Sequence, residues 1–307
     1  MKFPSALKAG DKVGILSTAR KISVEQLQPA LDALREWGLE PVLGQHLFAE
    51  DHQYAGTDGE RRADLQMMIE DRTIRAILCA RGGYGTLRII DGVDLRPLRR
   101  NPKWIVGFSD VTTLTMACYN AGVASIHGPM AVSWNGKTGD VQSREYLRQM
   151  LFGKLPNYSC MPARTDLVRT GVGEGRLIGG NLSMLSQLLG TETDFDTRGC
   201  ILFIEDLDEY LYHLDRMVVH LQRGGKFERL AGLIVGGFTD VHDNDTPFGK
   251  TVEEIIADAT AGHAYPICFD FPVGHWPQNY PLLHGARVRL EVSHTRADLH
   301  FLEGGVE

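Results

Sequence analysis

Trp104-Ile105-Val106-Gly107-Phe108-Ser109-Asp110-Val111-Thr112 is the stretch on which the fold turns. Four residues of short, apolar character suit a strand buried on both faces. Helical spacing then runs from Val111 to Tyr119, so Ser109 sits at a strand-to-helix turn. The same alternation repeats upstream. Lys12 to Ser17 reads as a strand, Val24 to Trp37 as a helix closed by Gly38, and Glu40 to Leu43 as a second strand. Thr57-Asp58-Gly59-Glu60 has the spacing of a capping box, which starts a helix running to about Asp71. Ile74 to Cys79 is a further strand. Strands alternating with helices of this length predict a parallel sheet with helices on both faces.

Downstream the texture changes. Residues 154–175 are rich in glycine and proline and read as a linker between a domain at 1–153 and another at 176–307. The second half shows strands near Cys200 to Ile204, Leu230 to Gly236 and Ala286 to Val292. Helices are expected near Leu182 to Leu189, Leu211 to Leu221 and Val252 to Ala257. The fold class is therefore α/β, with a smaller, β-rich α+β domain at the C-terminal end.

The chain has 307 residues, 43% of them hydrophobic and 23% charged, which excludes a disordered or fibrous protein. The net charge is −7 and no cluster of Lys and Arg stands out, so nucleic acid and anionic membrane are not expected partners. Lys8, Asp11 and Lys12 interrupt the apolar run that a secretory leader needs, and no long apolar stretch suits a membrane span. Five scattered cysteines without a C-x-x-C pair argue against a disulfide framework and a structural zinc site. A cytoplasmic protein with core cysteines and no metal is the expectation.

Four segments could carry chemistry. At the turn already quoted, Ser109 fits a nucleophile elbow, with the next amide, that of Asp110, as an oxyanion donor. A plain helix N-cap fits the same pattern, and Val111 departs from the G-x-S-x-G motif. Arg81-Gly82-Gly83-Tyr84-Gly85 follows a strand as a glycine loop whose amides can approach an anion, while Arg81 could grip a carboxylate. Glu205 ends the apolar run Cys200 to Ile204, where an acid can orient a histidine. His275, after Gly274, sits in a loop suited to a site, and His127 and His284 look like similar loop residues.

Rivals fail on their details. Ala131 to Thr138 nearly matches a phosphate-binding loop, but Ala131 replaces its first glycine. His242-Asp243-Asn244-Asp245 lacks a matched histidine pair and reads as a surface turn. Gly179-Gly180-Asn181 suits either an anion site or the N-cap of the Leu182 helix.

Taken in order, these motifs resemble the LD-carboxypeptidases of bacterial murein recycling, a serine peptidase family that also holds the microcin C immunity hydrolases. The resemblance runs through Ala55-Gly56-Thr57-Asp58 with Arg62-Ala63-Asp64-Leu65, the Arg81 loop, Gly107 to Thr112 and His127-Gly128-Pro129-Met130. It continues through Gly179 to Leu182, Ile204-Glu205-Asp206 and Gly274-His275. It implies a flavodoxin-like N-terminal domain. It also implies Ser109 as nucleophile, Glu205 as acid and His275 as base, with the amides of Asp110 and Gly83 as oxyanion hole. Arg81, Gly82 and Trp276 are candidate substrate contacts. By the same resemblance the protein is a cytoplasmic homodimer without cofactor that removes terminal D-Ala from a murein tetrapeptide. Immunity hydrolases need an aromatic to stack a purine, for which Trp134 and Trp276 are available. A non-catalytic small-molecule-binding protein is a third class.

Overall fold

The structure is a computed structural model and describes residues 1–136 and 138–304. The chain divides into two compact units. One is Met1–Leu155 with Asn279–Gly285 and Gly304; the other is Pro156–Gln278 with Ala286–Glu303.

The first unit runs β1 (Lys12–Leu16), α1 (Val24–Glu36), β2 (Glu40–Leu43), α2 (Asp58–Glu70), β3 (Ile74–Cys79) and α3 (Thr86–Ile89). It continues with α4 (Arg96–Arg100), β4 (Trp104–Gly107), α5 (Thr112–Asn120), β5 (Ser125–His127) and α6 (Thr138–Leu151). The second runs β6 (Tyr158–Cys160), β7 (Gly171–Asn181), α7 (Leu182–Leu188), β8 (Cys200–Leu207), α8 (Leu211–Arg223), β9 (Gly232–Thr239), α9 (Val252–Ala259) and β10 (Ile267–Cys268). β11 (Leu282–His284) then belongs to the first unit, and β12 (Arg287–Val292) and β13 (Ala297–Phe301) to the second.

In the first unit the sheet order is β11-β5-β4-β3-β1-β2. Its pairs are parallel except β11 against β5, which is antiparallel. Leu16, Ile77 and Ile105 from the strands share a buried core with Leu65, Met68 and Leu114 from α2 and α5. The expected capping box of Thr57 with Glu60 starts α2, and another, of Ser23 with Gln26, starts α1. His127 and His284, expected on loops, stand instead on β5 and β11 and are fully buried. Each meets an aromatic ring edge-on, Phe108 for His127 and Tyr119 for His284.

In the second unit the order is β10-β9-β8-β7-β12-β13-β6. The segment 154–175, expected to be a linker, contains β6 and the first half of β7. The glycines mislead because they serve close packing rather than looseness. A Cβ on Gly173 or Gly175 would collide with the carbonyl oxygens of Ala231 and Gly199. Asn181 caps α7 by accepting from the Met184 amide, so the glycine-asparagine motif is a helix start.

The near phosphate loop is a short 3₁₀ turn over Ala131–Ser133, and its Lys137 lies outside the described residues. Among the described residues no helix is long and apolar enough to cross a membrane. Nor does any group of three or more potential metal ligands gather there.

Candidate active site

β4 delivers the chain into the turn in an extended conformation at Phe108, and Ser109 then takes φ 61°. The left-handed region costs a non-glycine residue about 1–2 kcal/mol, so something must hold it there. The turn is too tight for a side chain at Gly107, whose Cβ would lie 2.7 Å from Val111 Cγ1. Val111 itself is fully buried, which is why a valine stands where an elbow motif shows glycine. Ser109 lies inside the 3₁₀ turn Ser109–Val111, and neither that turn nor α5 has a side-chain cap bond. The serine is an elbow residue and not an N-cap. Amides in such a first turn lack intrahelical acceptors and point positive dipole at their surroundings.

The loop after β3 lies against it. A Cβ on Gly82 would sit 3.2 Å from Ser109 Cβ and 3.4 Å from its Oγ. Gly83, at φ 112°, runs under the Arg20 side chain, and the Arg20 amide donates to the Gly82 carbonyl at 3.3 Å. Arg81 is half-buried at the start of the loop. The far end is tied down by the Asp110 carboxylate. Its Oδ1 accepts from the Gly85 amide at 3.2 Å and its Oδ2 from the Thr86 amide at 2.8 Å. Burial raises the Asp110 carboxyl above the usual range, against the opposing pull of those hydrogen bonds.

Arg61 backs the arrangement. It is 1% exposed, and Nη1 donates to the Thr18 carbonyl at 2.6 Å and the Gly85 carbonyl at 3.0 Å. Nη2 pairs with Asp58, and the guanidinium lies 4.8 Å from the Tyr54 ring centre. Sequence reading missed Arg61 and the Asp110 side chain. Arg61 stands one residue before the Arg62-Ala63-Asp64-Leu65 motif, and nothing in its neighbours reveals that it is buried.

In the second unit, Glu205 is fully buried on β8. Its Oε2 accepts from His275 Nδ1 at 2.6 Å and from the His275 amide at 3.1 Å. Against a carboxylate, Nδ1 carries the proton, which leaves Nε2 of the neutral imidazole as the nitrogen whose lone pair can accept one. Burial pulls the His275 pKa down, but the Glu205 charge, its hydrogen bond and the Asp206 charge outweigh it, and the net shift is upward. Gly274 is demanded here twice over: φ is 94°, and a Cβ would lie 2.5 Å from Glu205 Cβ and Cγ.

β9 bulges opposite the acid. Ile204 pairs with Val235 and Asp206 with Phe238, so Gly236 and Gly237 together face Glu205. Trp276 packs against Gly237, and Thr239 Oγ1 donates to the His275 carbonyl at 3.2 Å. Asp206 points the other way along the strand. It accepts from Asn181 Nδ2 and the Ser183 amide, each at 2.8 Å. Burial and the neighbouring Glu205 charge push its carboxyl up to about 7.

Trp134 is no stacking surface. It is 1% exposed, its indole nitrogen donates to the Pro129 carbonyl, and its ring lies 5.1 Å from that of Trp37.

A serine at a strained strand-to-helix turn, and a histidine held by a buried carboxylate, are each parts of a kind that serine hydrolases use. The chain belongs to the LD-carboxypeptidase family of serine peptidases: its N-terminal domain matches residues 13–128 and its C-terminal domain residues 174–290. A probable murein peptide carboxypeptidase of Bacillus subtilis (strain 168) is 36% identical over 99% of this chain and 95% of its own. The crystal structure of a muramoyltetrapeptide carboxypeptidase from Oxalobacter formigenes is 25% identical, with TM-score 0.84 over 96% of this chain and all of that one. MccF in complex with glutamyl sulfamoyl guanosine shares the fold, with TM-score 0.86 and 20% identity over 97% of this chain and 98% of its own.

Proposed function

We propose that the protein hydrolyses the L,D-peptide bond that holds the terminal D-Ala of a murein tetrapeptide. The observation that carries this reading is Ser109, held at φ 61° after β4 with Gly82 packed against it. A left-handed serine between a strand and a helix is the backbone form of a nucleophile elbow.

In the proposed mechanism His275 Nε2 takes the Ser109 proton and Oγ attacks the carbonyl carbon. The amides of Asp110 and Gly83 bind the developing oxyanion. His275 then returns the proton to the D-Ala nitrogen as the C–N bond breaks, and water repeats the sequence on the acyl-enzyme. Glu205 fixes the imidazole tautomer and its positive charge. Arg81 and Gly82 are proposed to contact the substrate, with Arg81 on the terminal carboxylate. Trp276, packed on Gly237, forms wall beside the base. A cytoplasmic homodimer is part of the same reading, and a sedimentation mass of twice 34.1 kDa is expected.

The test is product analysis by mass spectrometry with murein tetrapeptide. Wild type should release D-Ala, and Ser109→Ala should lose about 10⁴–10⁶ of the rate. No release by wild type would sink the substrate assignment. For the immunity-hydrolase alternative, the buried Trp134 leaves Trp276 as the aromatic that could stack a purine. That alternative is checked by offering an aminoacyl sulfamoyl adenylate, and the binding-protein class by whether Ser109→Ala leaves ligand affinity intact.

A further inference from the structure

We infer that Asp110 sets both halves of the oxyanion hole: its backbone amide is one donor, and its carboxylate positions the loop that carries the other, with Arg61 bracing that loop from behind. The inference rests on the serine-hydrolase reading above and adds two positioning groups to it.

Residues 81–85 contain three glycines, two of them at φ 112° and 157°, and glycine has the most conformational freedom to lose on ordering. A donor on such a loop is useful only if the loop is fixed, because a displacement of about 1 Å can cost on the order of 10²-fold in rate. The fixing comes from outside the loop. Asp110 takes the consecutive amides of Gly85 and Thr86, one on each oxygen. Arg61 takes the Gly85 carbonyl and the Thr18 carbonyl with one nitrogen. Thr86 Oγ1 donates to Thr18 Oγ1 at 2.7 Å and closes the ring of contacts. Both charged groups are 1% exposed, so neither is held by water. Asp110 also follows Ser109 directly, so the nucleophile, one donor and the clamp on the other share a single turn.

The test is labelling with a fluorophosphonate. Ser109 Oγ would form a bond to phosphorus, fluoride would leave, the serine proton would pass to the base, and the phosphoryl oxygen would occupy the oxyanion seat. Asp110→Asn is nearly isosteric and keeps the backbone amide, yet it turns one acceptor into a donor facing an amide. Arg61→Lys keeps the charge and loses the fork. Labelling rates are read per folded molecule, with the folded fraction taken from near-UV circular dichroism. A drop of about 10–100-fold in either variant, with the tetrapeptide KM within about threefold of wild type, is expected. Variants that label as fast as wild type overturn the positioning role and leave the nucleophile standing. A wild type that does not label overturns the nucleophile, and the inference with it.

Discussion

At the residue scale, the Glu205–His275 pair gives a signed expectation for pH. As the proposed base, His275 works only when its imidazole is neutral. The pair holds the His275 pKa above the ordinary 6.5, so kcat/KM should fall as pH drops through a midpoint above that value. Glu205→Gln removes the charge that raises it. Its midpoint should move to lower pH, with a lower plateau rate, in a profile measured from pH 5 to 9. A midpoint that stays put would mean that Glu205 does not set the base. The positions of Ser109 at a strand-to-helix turn, Glu205 on a buried strand and His275 in a loop were legible, because each follows a clean apolar run or a glycine. Arg61 was not, since a buried guanidinium looks like any surface arginine until the carbonyls it serves are folded around it.

Elements explain what the glycines are for. Gly274 lets the loop after β10 approach Glu205, and Gly236 and Gly237 make the bulge in β9 that faces it. Gly274→Ala should therefore lower stability by about 1–3 kcal/mol in urea unfolding and cut kcat by more than tenfold, through both strain and displacement of the acid. Ile204, fully buried on β8 beside the acid, is the control for plain packing. Ile204→Ala should cost about 2–5 kcal/mol. Composition alone cannot tell a glycine that frees a chain from one that lets two strands close up, and Gly173 and Gly175 are of the second kind. The strands at Lys12, Ile74 and Trp104 were readable because each buries every residue near its centre. β11 and β13 are too short, or too evenly mixed, to announce themselves.

The first unit is not continuous in sequence. The first unit is completed by β11, which arrives after the chain has built most of the second and pairs with β5 through Leu282–His127 to His284–Ser125. A fragment of residues 1–155 would leave β5 as an unpaired edge with buried side chains. It should unfold at lower urea and less cooperatively than the intact chain, and a fragment that matches it in both would show β11 to be dispensable. The strained serine also acts at this scale. Ser109→Gly would abolish the proposed nucleophile yet relieve the left-handed backbone, and the dead protein should melt about 2–4 °C above the live one, for roughly 1 kcal/mol recovered. Selection for thermal robustness alone would therefore drift away from serine at this position. On the proposed mechanism, the left-handed backbone at Ser109 is stability given up for a nucleophile.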